Sequence, residues 1–348
     1  MSEDGLDMAE LVSIIIPVFN AEKWIAETLK SALAQTWPRK EIIVIDDGST
    51  DNSLPIIRSF ESKFVKIIEQ QNTGPCVARN NAISYAQGDY IQYLDADDLL
   101  APDKIAQQME RAEKGASSKV LLSSSMGTFF YRYRKAVFRP NPLWQDMLPV
   151  EWLIQNYTKN AYLGIHAWLT SRKLTEIAGP WDDRLWKTDA DGEYFCRVVS
   201  LSSEVRFFPK SKCYYRKGIR GSLSATRIHP DLEGILHGLF IKHILSIENS
   251  IRTRTACKYL LQHWINSDFI RMPRVWDIAC TLAGELDVRL TRPPLNWKFK
   301  FLKSFLGYRK TLALKIFVSN TRLNFQIGWD GLLYLLSKKI KMDSLFDA

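Results

Sequence analysis

Three aspartates, Asp95, Asp97 and Asp98, directly follow the apolar segment Tyr90–Leu94. Unpaired carboxylates at this spacing repel one another, and their hard oxygen atoms are ligands that Mg²⁺ or Mn²⁺ prefers. Such ions commonly bind through one or two carboxylates together with the oxygens of a diphosphate, so a nucleoside diphosphate is the expected partner. The alternative is a solvated turn at the end of a strand, where aspartate is common.

A second acidic motif, DDGSTD at residues 46–51, ends the apolar segment Glu41–Asp46. Asp47 is placed to accept a hydrogen bond from a base N–H, while the turn leaves space for a nucleotide. A carboxylate is a poor phosphate ligand, so this motif suits the base end of the nucleotide. The alternative is an Asx turn that leads into a helix capped near Thr50 or Asp51.

The segments around these motifs alternate between strand and helix patterns. Four apolar segments are predicted to be strands: Leu11–Val18, Glu41–Asp46, Val65–Gln70 and Tyr90–Leu94. The predicted helices between them are Ala21–Gln35, with Asn20 as its N-cap, Asn52–Lys63 and Pro75–Gln87. This alternation predicts an α/β fold with a mostly parallel sheet flanked by helices. Ligands of such sheets bind outside the carboxyl ends of the strands, where both acidic motifs fall.

The remaining chain has a mixed part and a helical part. Four elements are predicted between Val120 and Gly218: strands at His166–Ser171, Val205–Phe208 and Cys213–Arg216, and a helix at Asp191–Leu201. His166 is expected to be a packed core histidine rather than a ligand. Helical periods dominate beyond Pro230, at Leu232–Ile247, Thr255–Phe269 and Trp276–Leu286. We therefore expect one main domain over residues 1–230 and a helical C-terminal region over residues 231–348.

The composition of the 348 residues bounds the protein class. The net charge of +9 is unevenly distributed, because residues 1–251 carry a balance of −1 and residues 252–348 one of +10. Five scattered cysteines without a Cys-x-x-Cys pair indicate neither a disulfide framework nor a zinc site, and favour a reducing compartment. An acidic N-terminus argues against a secretory signal, and charged residues interrupt the apolar segment Gly234–Ile247, so we expect a cytoplasmic protein without a transmembrane helix.

The order of the motifs resembles the nucleotide-binding half of the family 2 glycosyltransferases, which have the A-type glycosyltransferase fold. The motifs are, in order, Pro17-Val18-Phe19-Asn20, Asp46–Asp51, Asn72-Thr73-Gly74-Pro75 with Ala78-Arg79-Asn80, Gly88-Asp89-Tyr90-Ile91 and Leu94–Asp98. The resemblance is dense over residues 12–103 and divides the main domain into a nucleotide-binding half, residues 11–103, and an acceptor half, residues 104–230. The absence of Gly-x-Gly-x-x-Gly and of a Walker-type loop argues against dinucleotide and P-loop ATP binding.

The resemblance implies roles for particular residues on the donor side. Three residues are expected to line the base and ribose pocket: Pro17, Phe19 and Asp47. Asp97 would be the principal metal ligand, and Asp95 would contact the ribose or the metal. Arg79 is the cation expected to help to hold the donor, and its alternative role is a salt bridge on a helix surface.

On the acceptor side, the segments Ile177–Leu185 and Asp189–Arg197 resemble the region that carries the family's catalytic acid. Counting back from Arg197 places the catalytic base at Asp191. A helix start favours the ionised form that a base needs. Ala190 stands where the family usually has Glu, so Asp189 and Glu193 remain rival candidates, and the alternative is that these acids only cap a helix.

The segment Tyr215-Arg216 followed by Arg220, Ser222 and Ser224 resembles the family's loop that closes over the diphosphate. One residue is inserted, and Gly218 or Ile219 stands where the family has a histidine. Arg216 and Arg220 are expected to neutralise phosphate charge; the alternative is a solvated surface position.

The basic C-terminal region contains a candidate interfacial helix. Four aromatic residues share one face: Trp297, Phe301, Phe305 and Tyr308. Three lysines lie opposite: Lys300, Lys303 and Lys310. Peripheral contact with the inner face of the cell membrane is one interpretation, and packing against the protein's own domain is the other. No nucleic-acid recognition motif is present.

Together these features predict an inverting enzyme that transfers a sugar from a nucleoside diphosphate donor, with UDP the first expectation, to an acceptor hydroxyl of a glycan or lipid-linked saccharide. Mg²⁺ or Mn²⁺ is the expected cofactor. The rival hypothesis is a non-catalytic sugar-nucleotide-binding or scaffolding protein. A nucleotidyltransferase is disfavoured because the chain lacks a glycine-rich phosphate loop with Lys or Arg near its N-terminus.

Overall fold

The computed structural model describes residues 9–112, 119–218, 230–270, 272, 274–294, 303, 306–308, 310–314 and 327–331. Within these residues the strands are β1 (Val12–Val18), β2 (Lys40–Asp46), β3 (Val65–Glu69), β4 (Tyr90–Tyr93), β5 (Leu99–Leu100), β6 (Val120–Phe129), β7 (Thr170–Ser171) and β8 (Glu204–Arg216). The helices of the main domain are α1 (Ile25–Leu33), α2 (Ser53–Arg58), α3 (Pro75–Tyr85), α4 (Lys104–Ala112), α5 (Pro149–Lys159), α6 (Arg172–Ala178) and α7 (Ala190–Leu201). Three longer segments follow: α8 (Pro230–Ile247), α9 (Ile251–Asp268) and α10 (Val275–Glu285).

The central sheet has the order β3-β2-β1-β4-β7, with β1 to β4 parallel and β7 antiparallel to β4. Its inner strands are buried because both faces are covered, which explains their continuous Ile and Val runs. The register places Val18 beside Asp46 and Asp46 beside Glu69. The carboxyl ends therefore share one edge, and the predicted α/β fold with a mostly parallel sheet is confirmed.

A second sheet has the order β5-β8-β6, and its strand β5 begins directly after the acidic turn that follows β4. β8 is one long strand, although the sequence predicts two separate strands in this region. Its pairing with β6 shifts register between Ser124 and Ser125, opposite the part of β8 that contains Pro209. A proline cannot donate to a ladder, so an irregularity at this point lets one strand continue through it. The long strand carries Arg216 to the edge of the acidic turn.

Two local predictions are wrong. Asn20 does not cap α1: its backbone is left-handed with φ of 50°, and α1 begins at Ile25. The side chain of Asn20 instead accepts a hydrogen bond from the Thr50 N–H at 2.8 Å, because a short polar side chain can bridge two adjacent loops. The predicted strand at 166–171 is a short 3₁₀ turn, Ile165–Ala167, followed by the two-residue strand β7.

The C-terminal helices pack against the acceptor half. The Tyr157 hydroxyl on α5 donates to the Phe240 carbonyl on α8 at 2.8 Å, and His243 of α8 lies 2.9 Å from Glu193 of α7. A helix long and apolar enough to cross a bilayer does not occur in the described part of the chain.

The candidate interfacial helix falls largely on residues that the structure does not describe: Trp297, Lys300, Phe301 and Phe305. Tyr308 is described, and its ring packs edge to face on Phe269 with centroids 5.9 Å apart. At this position the aromatic face contacts the protein's own helices. Contact with a membrane stays a prediction from the sequence.

Candidate functional site

The three aspartates after β4 are in different environments. Asp98 is fully buried, with its Oδ2 2.9 Å from His166 Nδ1 and its Oδ1 accepting from the Arg216 backbone N–H at 2.7 Å. His166 is fully buried as well, as its expected core role requires. Burial opposes the charged imidazolium of His166, yet the Asp98 carboxylate raises its pKa well above the ordinary value. Asp98 therefore anchors the acidic turn to the protein interior, and Asp95 and Asp97 remain for a ligand.

Asp97 is electrostatically strained. Burial raises the pKa of its carboxyl well above the ordinary value, and the neighbouring Asp98 and Asp95 carboxylates raise it further. A cation placed beside these groups would relieve the repulsion, so the donor set fits a hard divalent ion. In the described ranges no three His, Cys, Asp or Glu side chains converge as a complete metal site. Two carboxylates supplemented by substrate oxygens are the arrangement that Mg²⁺ commonly uses.

Arg79 joins the donor motif to the acceptor half. It projects from α3 and is only 4% exposed, so its alternative role as a surface residue is wrong. One guanidinium nitrogen donates to Asp95 Oδ1 at 2.8 Å, and another donates to Asp191 Oδ1 at 3.0 Å. The guanidinium also lies 4.5 Å from the ring centroid of Trp181. Two carboxylates separated by 96 positions in the sequence thus meet on one planar cation.

The three candidate bases at the start of α7 differ in their partners. Asp189 is the N-cap, and its side chain accepts from the Gly192 N–H. Glu193 is 3% exposed and bonded to Arg197 at 3.0 Å and to His243 at 2.9 Å. Asp191 lies in the first helical turn, where the positive end of the helix dipole favours a carboxylate. Capping and ion pairing therefore occupy Asp189 and Glu193, whereas Asp191 faces Arg79.

The motif after β2 is tied to the loop before α3. Asp47 is buried, and its Oδ2 accepts from the Gly74 N–H at 2.9 Å. Its Oδ1 accepts from the Thr73 N–H at 2.9 Å and from the Gln70 side chain at 2.7 Å. These bonds explain how the second and third motifs of the sequence are held together. The role of Asp47 toward a nucleotide base stays a prediction.

The remaining donor-side residues surround the same strand edge. Pro17 is partly buried in β1, and the Phe19 side chain directly after β1 is 50% exposed. An aromatic ring exposed at the carboxyl edge of a parallel sheet is available for stacking on a planar ligand. The role of Pro17 and Phe19 in a base and ribose pocket stays a prediction.

Arg216 is buried rather than solvated, so its alternative surface role is wrong. Its Nε donates to the Asp97 carbonyl at 2.8 Å, and a terminal nitrogen donates to Glu27 Oε2 at 2.7 Å. The guanidinium carbon lies 4.2 Å from the ring centroid of Trp24. These contacts brace the acidic turn from the side of α1. The phosphate role of Arg216 stays a prediction, and Arg220 lies outside the described residues.

A cavity of about 410 Å³ opens beside Asp191, between α5, α7, α8 and α9. Its wall includes Tyr162, Trp168, His263 and Trp264, none of which was predicted as a site residue from the sequence. No local pattern marks these residues, because they come from segments distant in the chain and meet only through helix packing. Asp191 thus lines this cavity and is also joined to the acidic turn, because Arg79 contacts both Asp191 and Asp95.

The comparisons with known proteins agree with the predicted family and fold. Residues 13–174 match the family described as glycosyl transferase family 2. An uncharacterized glycosyltransferase of Haemophilus influenzae is 46% identical over 102 residues, which are 28% of this chain and 41% of that protein. The putative teichuronic acid biosynthesis glycosyltransferase TuaG of Bacillus subtilis is 40% identical over 103 residues, which are 29% of this chain and 41% of that protein. The chain spans less than half the length of these curated relatives.

Among solved structures, residues 1–349 of S. aureus TarS in complex with UDP-GlcNAc superpose with a TM-score of 0.65 at 18% identity. The superposition covers 79% of this chain and 80% of that one. At this low identity, the superposition shows the fold alone. It confirms the predicted A-type glycosyltransferase fold.

Proposed function

Because residues 13–174 match the family 2 glycosyltransferases, we propose that this chain transfers a sugar from a nucleoside diphosphate sugar to an acceptor hydroxyl. The acceptor is a glycan or a lipid-linked saccharide, and the anomeric carbon is inverted. The observation that carries the proposal is the shared contact of Arg79 with Asp95 and Asp191. This contact connects Asp95, which follows the donor-side strand β4, with Asp191, a carboxylate suited to act as a base.

Asp191 takes the proton from the acceptor hydroxyl. Its place in the first turn of α7 favours the ionised form, and the hydrogen bond from Arg79 fixes the direction of its carboxylate. Because the same guanidinium holds Asp95, the base is kept at a constant distance from the donor side of the site. Such fixed geometry is a large part of what an enzyme contributes to a bimolecular reaction.

Asp95 and Asp97 would hold Mg²⁺ or Mn²⁺. The raised pKa of Asp97 supports this, because a carboxylate crowded by Asp98 and Asp95 gains from a nearby cation. When bound, the ion neutralises charge that develops on the leaving diphosphate. The buried pair of Asp98 and His166 keeps the turn that carries both ligands in place.

The proposed donor nucleotide is UDP. The solved TarS structure is a complex with UDP-GlcNAc, and its fold agrees with that of this chain over most of both chains. Phe19 and Pro17 would contact the base and ribose together with Asp47. The name of TuaG refers to teichuronic acid biosynthesis, which supports an acceptor in a cell-surface polysaccharide.

The test measures UDP release from UDP-sugars by the purified chain with Mn²⁺, together with UDP binding by thermal shift. Asp191→Asn should abolish release while UDP still raises the melting temperature. The matched control is Asp183→Asn, which removes an exposed carboxylate nearby and should leave release unchanged. Chelation by EDTA should stop release, and Mn²⁺ should restore it. Binding without turnover across UDP-sugars and saccharide acceptors would instead support a non-catalytic sugar-nucleotide-binding or scaffolding protein.

A further inference from the structure

Trp181, in the segment between α6 and α7, contacts both of the helices that carry Arg79 and Asp191. It is buried, with 2% of the residue exposed. The ring of Tyr194 on α7 lies parallel to the indole, with centroids 4.0 Å apart and 5° between the planes. The guanidinium of Arg79 on α3 lies 4.5 Å from the indole centroid. Because Tyr194 occupies one face of the indole, the guanidinium packs on the other face.

The backbone of Trp181 is fixed to α3 by the residue that follows Arg79. The Asn80 side chain accepts a hydrogen bond from the Trp181 N–H at 2.8 Å and donates one to the Trp181 carbonyl at 2.9 Å. Asn80 belongs to the motif Ala78-Arg79-Asn80, in which the proposed function gives a role to Arg79 alone. The motif therefore supplies both the cation and the side chain that holds the indole beside it.

The same segment is fixed to α7 by Arg197. The Arg197 guanidinium donates to the Pro180 carbonyl at 2.9 Å and also to the Ala178 carbonyl. Arg197 is itself paired at 3.0 Å with Glu193, one turn earlier in α7. Bonds from α3 and from α7 thus hold the segment at both sides of the indole, so Trp181 presents a fixed surface to the group that packs on it.

The indole restrains Arg79 in a direction that its hydrogen bonds do not. The N–H groups of a guanidinium lie in its plane, so the bonds to Asp95 and Asp191 act within that plane. The Arg79 Nε–H has no hydrogen-bond partner among the described residues. A ring on the flat face opposes tilting of the guanidinium, and the attraction between a cation and an aromatic face is strongest where water is excluded. Tilting would change the distances to both carboxylates at once.

We propose that Trp181 is a positioning residue, which holds the Arg79 guanidinium in the plane that joins Asp95 and Asp191 and thereby fixes the base relative to the donor side. The inference rests on the proposed function, because it takes Asp191 as the base. Trp181 does not touch the substrate in this role, and its effect on the reaction passes through Arg79. Loss of the ring should therefore matter only while Arg79 is present.

A double-mutant cycle on kcat tests this dependence. The kcat for UDP release is measured for the wild type, Trp181→Leu, Arg79→Met and the double variant, under conditions where each is folded. Trp181→Leu should lower kcat about tenfold in the wild type, which corresponds to about 1.4 kcal/mol. In the Arg79→Met background the same change should lower kcat less than about twofold. A tryptophan that only filled the core would lower kcat by the same factor in both backgrounds, or in neither.

Two further variants separate the aromatic face from the volume of the side chain. Trp181→Phe keeps a ring and should retain kcat within about threefold of the wild type. Asn80→Ala removes the two bonds to the Trp181 backbone and should lower kcat by about threefold or more, with no further loss in the Arg79→Met background. Asn80 is only partly buried, so this variant decides the question if Trp181→Leu does not fold.

Matched controls carry the same kinds of change at other positions. Ser84→Ala alters an exposed polar side chain on α3. Trp144→Leu removes an indole in the segment between β6 and α5, where it stacks on Phe207 of β8. Both controls should leave kcat unchanged, and Trp144→Leu should lower only the free energy of unfolding.

Three results would overturn the inference: the same loss of kcat for Trp181→Leu in both backgrounds, the same loss for Trp181→Phe and Trp181→Leu, or no loss in any Trp181 and Asn80 variant. Failure of the proposed function is seen separately, as a wild type that releases no UDP. Urea unfolding of the four proteins of the cycle then decides whether Trp181 holds Arg79. A coupling of about fivefold or more in the unfolding equilibrium constant supports the contact, and additive losses overturn it.

Discussion

Replacing Arg79 tests the contact on which the proposed site depends. Its side chain is 5% exposed and donates to Asp95 and Asp191, whose side chains are each 30% exposed. A hydrogen bond to a charged group contributes about 1.5–3 kcal/mol to stability. The lower value applies here, because both carboxylates are partly exposed and water hydrates them when Arg79 is removed. Arg79→Met should therefore reduce the free energy of unfolding by roughly 3 kcal/mol.

The catalytic effect of Arg79→Met should be larger than stability alone explains. Without the guanidinium, Asp95 and Asp191 repel each other and the base loses its fixed position. Misplacement of about 1 Å costs on the order of 10²-fold, so kcat for UDP release should fall by about that factor under conditions where the variant is folded. Arg79→Lys should be intermediate in both measurements, because one ammonium cannot present two separate planar donors.

Urea unfolding and UDP-release kinetics provide the two measurements. The control is Arg184→Met, which breaks the ion pair of Arg184 with Asp182 at the surface and should change neither quantity measurably. If Arg79→Met unfolds at the same urea concentration as the wild type and keeps its kcat, the shared contact does not organise the site and the proposed role of Arg79 is refuted.

Two further predictions concern buried groups beside the site. His237 has a folded pKa of about 4 against 6.5 when exposed, so the unfolded chain binds more protons between these values and stability falls with falling pH. Between about pH 7 and pH 5 the free energy of unfolding, measured in urea, should fall by about 2 kcal/mol less in His237→Phe than in the wild type. The same pH dependence in both proteins would contradict this prediction. Glu193→Gln breaks a buried pairing with Arg197 and His243 and should cost roughly 3 kcal/mol of stability while kcat stays within about tenfold. Loss of UDP release at unchanged stability would make Glu193 the base.

Local sequence patterns were sufficient to predict the parallel strands of the central sheet. Continuous Ile and Val runs identify strands that are buried on both faces, and the alternation with helices requires parallel neighbours. Parallel strands end at one edge, so the motifs after β1, β2 and β4 had to meet there. The sequence could not predict β6, since the serines in its middle interrupt the apolar pattern even though they are buried.

The direction of individual carboxylates was decided only by tertiary packing. Asp98 turns inward because His166, 68 positions away, lies beneath it, and Glu193 is taken by a histidine from a C-terminal helix. No spacing rule contains such partners, because the free energy of a buried charge depends on groups that arrive from distant segments. The local sequence thus determined which acidic residues lie at the strand edge. Long-range packing determined which of these carboxylates have structural partners and which are available to bind a ligand or act as a base.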